Sequence, residues 1–236
     1  MEKIKVSHQS ICANWINASS INNPRTLVLG SFNPYENSTR LVDYYYGRSS
    51  NHFWKTIALI TNKNENYFFE NKTQLQRKIE IMNNRFCCLD VIDSISFSSI
   101  NKQILEKYLT EEIFSNFKDQ KIWGGYTDFE KKDRIFIERE YNQGILDFLR
   151  ENNSIKTIIH TMGSNRINSI EVKPKEKKLK SNGFAGFFNE IKSICHQKKI
   201  EINYESWSPS DYAIKNGFTP KEKLKTWLES NLHLKS

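Results

Sequence analysis

The sequence predicts an α/β protein, a three-layer α/β/α sandwich around a central four-stranded, mainly parallel sheet. Three observations lead there. Residues 26–32, 86–92, 155–162 and 200–205 are each the length of a strand, the first two built on continuous apolar runs and the last two with polar residues interspersed. Longer stretches whose apolar residues recur at helical spacing separate them, the pattern of parallel βαβ units with helices on both faces. Each run then breaks into a polar turn, and in such sheets a site lies beyond the carboxyl ends of the strands.

Taken in order, residues 1–22 read as a polar N-terminal extension with a short helix near residues 11–16, ahead of a single domain over residues 23–236. The first strand covers residues 26–32, its apolar run breaking at Gly30. Residues 51–61 are helical, with Phe53, Trp54, Ile57 and Ile60 at helical spacing, and residues 71–83 form a second, charged helix. The strand over residues 86–92 is apolar apart from Asp90. Residues 101–117 are an amphipathic helix, residues 120–133 a loop, and residues 136–151 a helix that turns Ile137, Tyr141, Ile145, Phe148 and Leu149 inward. The third strand, residues 155–162, stops at Gly163-Ser164-Asn165 and contains His160, read as a satisfied core histidine. A lysine-rich stretch, residues 172–183, precedes a helix over residues 184–198 and the last strand. Thr219-Pro220-Lys221-Glu222 is a capping box that opens a final helix to about Leu232.

Composition narrows the class. The hydrophobic share is only 38%, but an aromatic share of 13% restores the area a core needs. No apolar run is long enough to span a bilayer. Residues 1–5 lack the apolar core of a signal peptide, so a cytoplasmic location is expected. The four Cys have no zinc-type spacing and read as reduced core thiols, so no metal and no cofactor is expected. A net charge of +8 favours polyanions weakly.

Residues 27–54 are the most informative stretch. Leu27-Val28-Leu29 breaks at Gly30-Ser31-Phe32, Asn33-Pro34-Tyr35 follows, and a Tyr44-Tyr45-Tyr46-Gly47 block leads to Asn51 ahead of Phe53-Trp54. A strand delivering a turn, an aromatic wall and an amide has the parts of a pocket for a flat polar ring. This stretch resembles the uracil-DNA glycosylase superfamily, above all its hypoxanthine-DNA (deoxyinosine) glycosylase branch. That branch begins with a strand ending in Gly-Ser-x-Pro and continues Tyr-Tyr-Gly-His-Pro-x-Asn-x-Phe-Trp. Leu89-Asp90-Val91-Ile92-Asp93-Ser94 with Ser98-Ser99-Ile100 is similar to the family's second block, a strand followed by a Ser-rich loop. Ser206-Trp207-Ser208-Pro209-Ser210-Asp211 resembles its closing Pro-Ser-Thr-Ser-Pro-Ala-Asn. The chain departs at Arg48-Ser49 for His-Pro, at Trp207 for Thr and at Asp211 for the last Asn.

The resemblance implies the same sandwich fold and a monofunctional DNA glycosylase, expected to act as a monomer. Such an enzyme flips a deaminated or modified base out of the stack and hydrolyses its glycosidic bond, leaving an abasic site. The sugar becomes oxocarbenium-like while the leaving base gains negative charge, so a carboxamide that holds water can suffice. Asn33 and Asn51 compete for that role, because Asn33-Pro34-Tyr35 is similar to the water-holding turn of other branches. The plain alternatives are a turn former at Asn33 and a helix cap at Asn51. Gly30, Ser31, Phe32, Tyr35 and Tyr46 are candidates for holding the base. Arg48, Ser206, Trp207, Ser208 and Ser210, with Lys173, Lys175 and Lys178, are candidates for holding DNA. Three readings stay open: repair of a deaminated base, excision of a bulky base such as glucosylated cytosine in antiviral defence against phage, and a DNA-binding module of this fold that has lost its chemistry.

Overall fold

The computed structural model describes residues 2–12, 15–33, 42–70, 73–110, 127–130, 134–162 and 184–234. All four expected strands are present in one parallel sheet. They are β2 (Thr26–Gly30), β3 (Phe86–Asp90), β7 (Thr157–His160) and β8 (Glu201–Ile202), in the order β3-β2-β7-β8. The apolar Leu27, Val28 and Leu29 put β2 at the centre, where both faces are covered and every residue is buried.

Helices α2 (Phe53–Ile60) and α3 (Gln74–Met82) connect β2 to β3. Helix α5 (Gly144–Glu151) precedes β7, and α6 (Phe184–Lys198) connects β7 to β8. The chain moves one way from β2 to β3 and the other way from β3 through β7 to β8. Right-handed crossovers running in opposite directions place their helices on opposite faces. Accordingly α5 packs on α6, while α2 packs on α8 (Lys221–Asn231). The direction reverses between β2 and β7, and a crevice opens at such a point beyond the strand ends.

A second sheet was not expected. Strands β1 (Glu2–Ser7), β4 (Ile92–Ser99), β5 (Thr127–Glu130) and β6 (Ile135–Tyr141) form an antiparallel sheet in the order β1-β4-β6-β5. Residues 2–7, read as part of a polar extension, pair along their length with β4, from Glu2 opposite Ser99 to Ser7 opposite Ser94. The helix expected from residue 136 begins at Gly144, and the preceding residues are β6, with Ile135, Ile137, Arg139 and Tyr141 inward. The Ser-rich loop is strand β4, its serines alternating with the buried Ile95 and Phe97. Only Val91 separates β3 from β4, so one chain segment leaves the parallel sheet and enters the other.

Smaller differences follow the caps. The first helix is α1 (Gln9–Cys12), short and earlier than residues 11–16. Helix α4 (Lys102–Thr110) keeps the start of the expected amphipathic helix. Helix α7 (Asp211–Lys215) follows the closing block. The capping box at Thr219 is not formed: Pro220 flanks α8, no side chain caps it, and Thr219 is buried.

Candidate active site

The site is built on the end of β2. A Cβ at Gly30 would overlap the Asp90 carboxylate and stand 2.8 Å from the Tyr46 hydroxyl, so only glycine admits both groups. Its carbonyl accepts from Val91 N at 3.0 Å, and that of the half-buried Ser31 accepts from Ile92 N at 3.2 Å. These bonds hold the turn against the junction of the two sheets. Phe32, also half-buried, sets its ring 5.7 Å from that of His8.

His8 was missed by sequence reasoning. It stands just past β1, is 2% exposed, and bonds the Asp90 carboxylate through Nε2 at 2.8 Å. Its Nδ1 lies 2.7 Å from Ser10 Oγ and 3.1 Å from Ser10 N. A backbone N–H can only donate, so Nδ1 accepts and Nε2 carries the proton given to Asp90. A polar segment 82 residues from Asp90 offered no signal for this pairing.

The tyrosine block forms the wall beside this pair. Tyr46 adopts φ 57°, unusual for an aromatic residue, and its hydroxyl lies 3.0 Å from Thr161 Oγ1 just past β7. Its ring stacks on Phe53 at 4.3 Å. Burial first, and then the Asp90 charge, push the Tyr46 hydroxyl well above its ordinary value, so it stays neutral. The wall is anchored from behind. Trp54 Nε1 donates to Tyr45 O at 2.7 Å, and the fully buried Lys78 of α3 reaches both oxygens of Asp43 at 2.7 Å.

The two amides differ. Asn33 Nδ2 donates to Gln9 Oε1 at 2.7 Å, Arg48 reaches Asn33 Oδ1 at 3.3 Å, and Asn33 O accepts from Gln9 N at 2.7 Å. Both ends of that side chain are engaged. Asn51 is half-buried at the entry to α2, where Oδ1 accepts from Phe53 N at 2.8 Å. This bond fixes the plane of the amide and leaves Oδ1 a second lone pair. Arg48 thus braces Asn33, and its backbone oxygen accepts from Asn51 N at 2.8 Å.

The closing block docks on the same edge. Ser206 is buried, with its hydroxyl donating to His160 O at 2.5 Å, so it pins the segment to β7 rather than facing outward. Trp207 is half-buried and bonds Glu205 at 3.0 Å. Ser208 Oγ donates to Ser210 Oγ at 3.1 Å, and Ser210 caps α7 by accepting from Ala213 N at 3.2 Å. The Pro209 carbonyl accepts from His52 N at 2.8 Å, and His52 Nε2 lies 3.4 Å from Asp211. Lys215 first, and then His52, hold the Asp211 carboxyl below its ordinary value.

His160 is a core residue, as expected, but its ring nitrogens make no hydrogen bond of normal geometry, and the contact with the Tyr204 main chain opposes the larger effect of burial. Burial holds its pKa down to about 4, and the ring is neutral. Tyr35, Lys173, Lys175 and Lys178 lie outside the described residues.

Among the described residues, no cluster of His, Cys, Asp or Glu could hold a metal ion, and no helix is long and apolar enough to cross a membrane. Cys87, Cys88 and Cys195 are buried free thiols, their pKa values raised by that burial. The edge therefore offers a fixed amide, a neutral phenol, a half-exposed Phe32 ring and a guanidinium, a set suited to binding a flat polar ring and orienting water. No family model matches the chain, and neither a curated protein nor a solved structure matches it.

Proposed function

We propose that this chain is a monofunctional DNA glycosylase that hydrolyses the bond between deoxyribose and a deaminated or modified base. One observation carries the reading. The three blocks of sequence that resemble the glycosylase superfamily, far apart along the chain, are joined at a single edge of the parallel sheet. Gly30 pairs with Asp90, His52 N donates to Pro209 O, and Ser206 pins the last block to β7.

Asn51 is the better placed of the two amides to hold the attacking water. Its Oδ1 keeps one lone pair for a water proton, while Phe53 N–H sets its direction. Asn33, held by Gln9 and Arg48, is a positioning residue that shapes the turn after β2. Excluding bulk water around a fixed dipole lowers the barrier as charge develops on sugar and base. The half-buried Trp207 stands where the resembling family carries a small Thr, a change that supports a reshaped pocket and keeps a bulky modified base, as in antiviral defence, among the substrates to test.

The test presents oligonucleotides carrying uracil, hypoxanthine, xanthine or glucosylated 5-hydroxymethylcytosine and scores abasic sites as alkali-labile breaks. Cleavage of any one supports the reading, and its identity names the substrate. Binding with no cleavage of any would favour the inactive DNA-binding module, for which the fully engaged Asn33 already speaks.

A further inference from the structure

We infer that the turn between α7 and α8 is a stacking platform for unpaired bases of single-stranded DNA beside the target nucleotide. This rests on the glycosylase reading and adds to it a strand preference. Tyr212 and Phe218 are 70% and 65% exposed, and their ring centroids lie 5.9 Å apart. Two adjacent aromatic rings in water have little to contribute to a folded core, and such exposure marks a binding surface.

The turn beneath them is built rather than loose. Asn216 donates to Tyr212 O through both its backbone N–H and Nδ2, and Thr219 N donates to Ala213 O at 3.1 Å. Gly217 takes φ 71°, a conformation that suits glycine, and carries the chain back so that Phe218 meets Tyr212. Rings presented on a fixed turn lose little freedom when they bind.

Position and charge identify the occupant. Helix α7 starts at the Ser210 cap, one residue past the carbonyl that His52 holds, so the platform adjoins the candidate active site. Lysines outnumber acids four to two over residues 211–225. Lys221 and Lys225 are exposed and share a face of α8, whereas Lys215 is paired with Asp211 at 2.7 Å. Aromatic faces with nearby cations match a single strand, whose bases expose their faces, better than a duplex, whose bases already stack on one another.

The test measures binding to undamaged oligothymidine and to duplex of equal length by fluorescence anisotropy. Tyr212→Ala and Phe218→Ala are each expected to weaken single-strand binding roughly tenfold and duplex binding by less than about twofold. Tyr212→Phe, which keeps the ring, should retain wild-type binding. A 2-aminopurine in the single strand should be quenched by the wild type and less by the alanine variants. Equal losses on both nucleic acids, or no loss on either, would overturn the inference. So would sedimentation showing that the patch joins two copies of the chain. Because no cleavage is read, failure of the glycosylase assay leaves this result standing, and the reverse also holds.

Discussion

Gly30 is the residue on which the site turns, because the space a side chain would fill already holds a carboxylate and a phenol. Gly30→Ala must push Asp90 away from His8, and overpacking of this kind costs about 1–3 kcal/mol. Urea unfolding should show that loss, and cleavage should fall with it. Asn51→Ala should reduce single-turnover cleavage by about two orders of magnitude, the scale of one lost positioned group. Asn33→Ala should cost less, since it acts through the turn. Near-wild-type cleavage by the Asn51 variant would remove Asn51 from the mechanism. His160 governs a pH effect. Its folded pKa is about 4 against an ordinary 6.5, so the unfolded chain binds the proton more readily. Its neutral burial therefore favours the fold in full above pH 6.5, and the advantage shrinks as pH falls toward 4, by roughly 3 kcal/mol at most. Denaturant midpoints at acid and neutral pH should show this slope, and His160→Leu should flatten it.

At the scale of elements, β1 is the surprising contributor. It covers one edge of β4 and delivers His8 to Asp90. Removing residues 1–8 would leave an open strand edge and a buried carboxylate without its partner, a loss of about 3 kcal/mol or more. The truncated chain should unfold at lower urea and aggregate, as thermal scattering would reveal. The parallel strands were legible because each is a short stretch of strand length set between helical patterns and ended by a polar turn, the first two with continuous apolar runs. The antiparallel ones were hidden by their own residues. Arg139 broke the apolar alternation of β6, while Ile137, Tyr141 and Ile145 fitted helical spacing equally well. Serines made β4 look like a loop. Of the candidate site, the tyrosine block, Asn51 and the closing block stand out in local order, each just past or ahead of a regular element. The role of Asn33 does not, because it depends on Gln9 and Arg48 arriving from other segments.

For the whole molecule, the joining of two sheets through Val91 makes the site edge a junction rather than a rim. On the proposed function, the net charge of +8 should make binding to DNA strongly salt-dependent. Replacing Lys173, Lys175 and Lys178 by Ala should flatten the slope of log K against log salt by about three units, with similar losses on damaged and undamaged DNA. An unchanged slope would assign those lysines to plain solvation.

The buried Lys78–Asp43 pair has a consequence in time rather than in space. A loop between a strand and a helix usually opens freely, and its amides exchange with solvent long before those of the sheet. Here a lysine enclosed beside the Trp54 and Phe69 rings grips the start of the tyrosine turn, and Trp54 grips its middle. The amide of Gly47, bonded to Tyr44 O, should therefore exchange at the pace of core unfolding. Lys78→Met should release it, and deuterium would then enter the tyrosine turn while the strands of the parallel sheet stay protected.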